Sequence, residues 1–565
     1  ALVGLTGFII ITLFVFGGAL IVPFDLYSSD NALRNLPPNM SYLRYPKELD
    51  SVGAEQIVSG RSFSAAIDSN GKVHVWGVDQ SNLKQLPSAL TSSRIVKLAT
   101  GDRHMLALNE AGDVILWGHN NHRQAEVPVE LAGVFRLQRI VNIGGGDLYS
   151  AVLTERGNIY VWGATLANRL NLVPPQFQGR IIDFATSTSS ILLLLDDNTI
   201  GYMGTPGTQL ATIPEYLTNG DVKITQIAAS VRSGLAIDEN GGLHGWGDAI
   251  GGMLDFPEPI ASGSVRIVEI EAGRNYFTAV DSEGNAYAWG VNNYGQTNIP
   301  TAVTNARVTN VFSGFYQNYA VTEDGAIHAW GNKGFILGSD GSGRDMLTRL
   351  IHGGRVTMTV GAVAVLISTL IGVTVGMISG FYGKWIDNVL MRFGEIINSF
   401  PFLPLAITLS AFIGGRLSQT ERILMIMVIL GVISWPGLSR LVRGQILAER
   451  EKDFVMAARA LGIRSRVIIV RHILPNVINI VIVSMTLSYA GSLLTEAGLS
   501  FLGFGVVPPS PSWGNMLTGS QGTDIIELYW WRWVLPAIAV LMTALSVNLI
   551  GDGLREAMDP KGNEK

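Results

Sequence analysis

The stretch IVKLATGDRHMLALNEAGDVILWG, residues 95–118, decides the architecture of the middle of the chain. Ile95–Ala99 is a short apolar run that ends at a glycine, Met105–Leu108 is a second run, and Glu110-Ala111-Gly112 is a turn. Val114–Trp117 is a third run, closed by Trp117-Gly118. Short β-branched and apolar runs bounded by Gly and Asp read as strands joined by tight turns. The unit recurs, with Trp-Gly at Trp76-Gly77, Trp162-Gly163, Trp246-Gly247, Trp289-Gly290 and Trp330-Gly331. A degenerate copy at Met203-Gly204 fills the one double interval, and the steps become 41, 45, 41, 43, 43 and 41 residues. Seven copies of that period predict a seven-bladed β-propeller with about four strands per blade. The tryptophans are expected to fill the space between blades.

Working outward, most copies run from Trp-Gly into Leu-Pro or Ile-Pro (Leu86-Pro87, Ile299-Pro300) and then into a further short strand. The seventh copy lacks this tail, while Leu36-Pro37-Pro38 precedes the first. Residues 36–46 are therefore expected to supply the outer strand of the last blade. The propeller is assigned to residues 40–337, after a linker at 24–39.

The flanks differ in kind. The chain has 565 residues, 47% of them hydrophobic and only 15% charged. Soluble proteins carry about 25% charged residues, so part of this chain is expected in lipid. A net charge of −5 argues against nucleic acid as partner. With no cysteine there is no disulfide or thiolate metal site, and the compartment stays undetermined. Residues 1–22 carry no charge and, as a helix of about 33 Å, suffice to cross a bilayer. A cleaved signal peptide is the alternative, but the run is long for one and no small-x-small site follows. The chain opens on Ala1 rather than Met, so a short preceding segment is expected. Five more apolar runs lie at about 356–380, 386–414, 421–443, 467–495 and 531–551. The expected plan is helix one at 1–23, the propeller, a connector at 338–355, five helices over 356–553 and a tail at 554–565.

Between Arg440 and His472 eight basic residues stand against three acidic ones, and residues 496–530 contain no Lys or Arg. Positive charge favours the cytoplasmic side, which places both termini inside and the propeller outside. Within that basic loop (446–472), Asp453-Phe-Val-Met-Ala-Ala-Arg-Ala-Leu-Gly462 forms a short helix. Phe454, Ala457, Ala458 and Leu461 fall at i, i+3, i+4 and i+7 and form one apolar face, and Gly462 stops the helix. Such a face seeks either a groove in a partner protein or the lipid surface. Among ionisable residues in the spans, Asp387 and Arg392 are explained by snorkelling near a membrane face. Glu395 is deeper and is either a pathway or gating residue or part of a structural pair.

The loop resembles the EAA loop of ABC importer permeases: Ala457, Ala458, Gly462, Ile473, Leu474 and Pro475 stand where that motif has them. Met456 occupies the position of the motif's Glu, so a salt bridge from that carboxylate is not carried over. Gly338–Arg349 resembles the G-T-D-x-x-G-R-D-x-x-S-R segment of the dipeptide/oligopeptide/nickel permeases, second-subunit type. Leu499–Gly505 with Pro508-Pro509 and Pro511-Ser-Trp513-Gly514 resembles their L-S-F-L-G-x-G…P-P…P-x-W-G run. Asn548–Arg555 with Asp559-Pro560 resembles their C-terminal N-x-x-G-D-x-L-R…D-P. The repeats resemble the regulator-of-chromosome-condensation propellers, and the Asn292-Asn-Tyr-Gly295-Gln296 ending comes nearest to that family. The propeller is an insertion between helices one and two that the permease family does not normally carry.

The resemblance implies a six-helix permease of type I importer fold that brings peptides or related small solutes across a cell membrane. It implies a sister permease, two ATPase subunits and an external substrate-binding protein as partners, within the lipid bilayer. It makes Phe454, Ala457, Ala458, Leu461 and Gly462 the contact to the ATPases. No G-x-x-x-x-G-K-S/T loop, H-E-x-x-H or G-x-S-x-G occurs, so no catalytic or metal-binding residue is assigned. ATP and magnesium are expected on the partners and no cofactor on this chain. The alternative reading is a membrane-anchored propeller receptor or scaffold whose permease part carries a non-peptide solute. The propeller itself is left with three roles: docking of the binding protein or an envelope partner, ligand capture, or a passive cap.

Overall fold

Apolar alternation and positive-φ glycines give, in the computed structural model, seven three-stranded antiparallel sheets over residues 54–77, 95–118, 140–163, 181–203, 224–247, 267–290 and 308–331. The structure describes residues 1–26, 29–79, 81–414 and 417–558. The chain divides into two units, residues 39–334 and residues 1–38 with 335–565.

In the first unit each Trp-Gly closes the third strand of its blade. Trp117 packs with Phe63, Ile67 and Val73 of the preceding blade, and Trp246, Trp289 and Trp330 repeat the arrangement around the ring. Their indole N–H groups donate to the backbone carbonyls of Leu83, Leu210, Met253 and Gln296 at 3.0–3.1 Å. The degenerate copy holds its place: Met203 is 2% exposed and ends the third strand of the fourth blade. Gly118 sits at φ +101°, where a Cβ would come 2.8 Å from the Arg103 carbonyl oxygen, so the Trp-Gly turn requires glycine.

The expected fourth strand is absent among the described residues. After Trp-Gly the chain meets a proline that begins a helix instead: Val129–Leu137 after Pro128, Glu258–Ala261 after Pro257 and Thr301–Thr304 after Pro300. Proline has no N–H for a ladder and its fixed φ suits a helix start. Residues 36–46 likewise form no strand. Leu36–Pro38 belong to the other unit, where Leu36 N–H donates to Ser339 Oγ at 2.8 Å. The ring closes instead through side chains. Trp76 Nε1 donates to Tyr319 Oη at 3.0 Å, and that hydroxyl donates to the Tyr42 carbonyl at 3.1 Å. Tyr45 Oη reaches the Ile327 carbonyl at 2.9 Å. The first and seventh blades thus share one core with Leu43, Tyr45 and Leu49.

The second unit is helical. We label its helices α1 (Leu2–Ile21), α2 (Met346–Tyr382), α3 (Lys384–Ser399), α4 (Phe402–Gly414), α5 (Gln419–Glu449), α6 (Asp453–Ala460), α7 (Ser465–Phe501), α8 (Trp513–Thr518), α9 (Thr523–Leu528) and α10 (Trp531–Ala557). Five of them, α1, α2, α5, α7 and α10, are long and apolar enough to cross a membrane. The expected single span 386–414 is two helices, α3 and α4, bent by 84°. The break falls at Phe400-Pro401, where proline cannot donate to the preceding turn. Helix α2 begins ten residues before its apolar run because Asp345 caps it, its carboxylate accepting from Thr348 N–H at 2.8 Å.

Close approach holds this unit together. Gly372, Gly376 and Gly380 line one face of α2 against Leu438, Ser439, Val442 and Ile446 of α5, and a Cβ on Gly376 would sit 2.7 Å from the Ser439 carbonyl. Small residues four apart let helix backbones meet where apolar burial gives no drive. The Pro-Ser-Trp-Gly run has a structural explanation of the same kind. Trp513, 1% exposed, donates from Nε1 to the Leu350 carbonyl at 2.8 Å, while Gly514 abuts the Ala497 carbonyl. The tail motif's Asp559-Pro560 lies outside the described residues.

Candidate functional site

Helix α6 starts after Lys452 with Asp453 in its first turn and Arg459 in its last, both favourable to the helix dipole. It ends in a Schellman motif. Gly462 N–H donates to the Arg459 carbonyl at 3.0 Å and Ile463 N–H to the Ala458 carbonyl at 3.1 Å, with Gly462 at φ +74°. Among the described residues, no atom beyond its chain neighbours lies within 4 Å of where a Cβ on Gly462 would stand, so the turn, not crowding inside the chain, requires glycine there.

The apolar face expected on this helix is divided. Val455, 0% exposed, and Ala458, 5% exposed, point inward and join Phe381 of α2, Val442 and Ile446 of α5, and Ile468, Ile469 and Ile473 of α7. Phe454, 39% exposed, Ala457, and Leu461, 80% exposed, form a ridge on the adjoining, outward face. Ala458 therefore packs within the chain, and Val455, absent from the expected face, is its inner anchor. The sequence period holds both sets because the two directions lie within about 100° of each other on the helix. The Arg459 guanidinium lies 4.7 Å from the Phe381 ring centre, a second tether between α6 and α2. Met456 is half exposed, so the position of the motif's Glu faces solvent without a charge.

Polar bonds brace the same end of the unit. Arg443 forks onto Asp387 at 2.6 and 2.5 Å, and Ser379 also hydrogen-bonds that carboxylate. Asp387 is thus a buried, bidentate pair joining α2, α3 and α5, and not a snorkelling surface charge. Arg450 Nη1 donates to the Gly380 carbonyl at 3.0 Å, and Asn476 Nδ2 donates to Glu449 at 3.0 Å. Glu395 lies on α3, exposed, accepting from Arg392 at 2.7 Å one turn away on the same helix. Among the described residues its only hydrogen-bonded or ion-pair partner is Arg392, and none is on α6. Sequence reading passed over Glu496, which is fully buried on α7 and accepts from Ser500 Oγ at 2.6 Å. A lone acid one turn before a serine, in a stretch without basic residues, was the available signal.

The propeller has a cavity of its own, about 430 Å³ along the axis, lined by the innermost strands of all seven blades. Gln56 and Gln226 reach across to the next blade, exchanging hydrogen bonds with the backbones of Leu98 and Ile270. Glu271 stands among small and apolar residues at equivalent strand positions, Val58, Ala99, Gly144, Ala185 and Ala228. Burial, and next the Glu269 carboxylate, push its pKa up to about 8. Asp147, at one rim, is raised to about 6 by burial and by Asp102.

Residues 372–563 match the model of the binding-protein-dependent transport system inner membrane component, and residues 95–124 and 267–296 match that of the regulator of chromosome condensation repeat. A putative peptide permease protein of Brucella ovis is 42% identical over 225 residues, 40% of this chain and 72% of that protein. The oligopeptide transport system permease proteins of Haemophilus influenzae and Escherichia coli are 43% and 42% identical over 40% of this chain, and over 70% and 73% of their own lengths. Among solved structures, the CRINKLY ectodomain of an Arabidopsis thaliana receptor kinase aligns at 18% identity and TM-score 0.39 over 49% of this chain and 93% of that one. The methionine ABC transporter MetNI aligns at 20% identity and TM-score 0.29, over 37% and 97%. The helical unit, with its Trp-Gly-bearing α8 and glycine-stopped α6, and the propeller are thus matched by separate families. The chain belongs to the family of binding-protein-dependent transport inner membrane components, among its peptide and oligopeptide permeases, and carries an inserted propeller of regulator-of-chromosome-condensation repeats.

Proposed function

We propose that this chain is one transmembrane subunit of an ATP-driven ABC importer for peptides or related small solutes, and that α6 is the element through which partner ATPases drive it. The observation that carries this reading is the exposed ridge Phe454–Ala457–Leu461 on a helix whose adjoining face is locked into the α2, α5 and α7 core. An apolar ridge of this kind needs a cover. A helix so rooted passes a push from that cover to the long helices. Exposed Ala457 in the centre leaves room for a partner's side chains to approach closely.

A sister permease, two ATPases and an external binding protein complete the transporter. ATP and magnesium belong to the ATPases, and this chain performs no catalysis. The basic loop around α6 favours a cytoplasmic α6 end, with both termini inside and the propeller outside. Transport then consists of rocking between inward- and outward-facing states. Replacing Gly462 with Leu tests the reading in proteoliposomes of the assembled complex. The expected result is ATP hydrolysis that continues while uptake is lost, with assembly intact. Unchanged substrate uptake refutes it.

A further inference from the structure

At the end of α2 away from α6 lies a partly open cavity of about 300 Å³ lined by Asp340, Arg344, Arg349, Asn515, Gly519 and Arg532, among others. Its charges do not balance. Arg349 is 4% exposed and Arg532 is 8% exposed, yet among the described residues Asp340 is the one acidic residue in the lining. Asp340 accepts from Arg344 Nε at 2.7 Å and lies 3.4 Å from Arg349 Nε. Its other oxygen is spent on the loop itself, accepting from Ser342 N–H at 2.8 Å and Arg344 N–H at 3.0 Å. Arg532 donates to Asn35 Oδ1 at 3.1 Å and the Gly519 carbonyl at 2.5 Å, both neutral acceptors. Arg349 Nη1 reaches only the Pro509 carbonyl, at 3.4 Å. Among the described residues, both terminal nitrogens of Arg344 and Nη2 of Arg349 are without a hydrogen-bond partner.

Three guanidinia against one carboxylate leave two positive charges to be neutralised around a partly open cavity in which Arg349 and Arg532 are buried and Arg344 is partly exposed. Burying an uncompensated charge is costly, and a guanidinium fork is shaped to hold two oxygens of one anion. Gly341 and Gly519 approach the Arg532 guanidinium closely, and a Cβ on either would stand 3.0 and 3.1 Å from Nη2. Side chains there would press on the guanidinium that faces the cavity.

We propose that this cavity is a binding site for a small oxyanion, a carboxylate or phosphate group held between Arg344, Arg349 and Arg532. The group is either the headgroup phosphate of an anionic lipid or a soluble anion. The site accounts for the Gly338–Arg349 segment, which the α6 reading leaves unused.

The test takes the full chain in detergent micelles and follows thermal unfolding by tryptophan fluorescence in phosphate, acetate and chloride at matched ionic strength. Native mass spectrometry of the chain from phosphatidylglycerol nanodiscs is run in parallel. The expected result is a saturable rise in Tm with phosphate or acetate, or retained phosphatidylglycerol. Arg344→Gln weakens the response by about tenfold or more, the effect of losing a charge-assisted bond. A response to soluble anions with no retained lipid identifies a free anion. Retained phosphatidylglycerol displaced by phosphate identifies the headgroup. A second variant, Ser342→Asp, supplies a carboxylate from the lining itself and is expected to abolish the response while keeping Tm in chloride at or above the native value. Equal Tm in all three salts with no retained lipid overturns the proposal, as does an Arg344→Gln chain that responds like the native one. Stabilisation seen only on assembly with a partner permease also overturns it, in favour of a protein carboxylate.

Discussion

The divided faces of α6 make a paired prediction from two single substitutions. Val455 is fully buried between α2, α5 and α7, so Val455→Ala deletes two methyl groups from a packed core. At about 1 kcal/mol per methyl group plus the residual cavity, the loss is about 2–3 kcal/mol. Leu461 is 80% exposed, so Leu461→Ala removes almost no packing and costs less than about 0.5 kcal/mol. If the ridge is the ATPase contact, the order reverses in the assembled complex. Leu461→Ala then lowers substrate-stimulated ATP hydrolysis and uptake, because a buried interfacial leucine is worth about 1–3 kcal/mol. Denaturant unfolding of the full chain in micelles gives the first pair of values, and coupled ATPase and uptake assays in proteoliposomes give the second. Equal destabilisation by the two substitutions refutes the divided face. A Leu461→Ala complex that transports normally refutes the role given to the ridge.

Two further predictions concern the propeller. Tyr319→Phe removes the hydroxyl that relays Trp76 to the Tyr42 carbonyl, leaving a buried indole N–H unpaired. The expected cost is about 1–3 kcal/mol in calorimetry, with Tyr149→Phe, which does not close the ring, as the comparison. Glu271 has a folded-state pKa raised from 4.5 to about 8. Its contribution is fully present below pH 4.5 and is lost as pH rises through 8. Glu269, raised to about 7 by burial, acts in the same direction, whereas His104, lowered to about 4 by burial, acts oppositely. Native minus Glu271→Gln stability therefore falls between pH 4.5 and 8, and a difference independent of pH contradicts the assignment.

What the sequence disclosed follows from range. The blades were legible because each is built from contacts within about twenty residues, repeated seven times, so that even Met203 could be placed by interval. The outer strand expected after Leu-Pro or Ile-Pro does not form because a proline there suits a helix start as well as a strand lead, and Pro128, Pro257 and Pro300 start helices. On α6 the stop at Gly462 was visible locally, but the inward turn of Ala458 depends on Phe381 and Ile468, far along the chain. Asp387 was misjudged for the same reason, since its partner Arg443 is 56 residues away. The arginine cavity assembles Arg349 and Arg532 from two helices whose meeting no local pattern announces.

The most direct test of the coupling role uses the absence of cysteine from the chain. Leu461→Cys introduces a single thiol on the ridge, and Glu395→Cys places one on α3, off the ridge. In the complex assembled with ATPase subunits whose single cysteine is placed in the docking groove, a short bifunctional maleimide should link position 461 to the ATPase. The yield should change when ATP is added, and position 395 should give none. A thiol at 461 that links to no ATPase, or equally well from 395, contradicts the account.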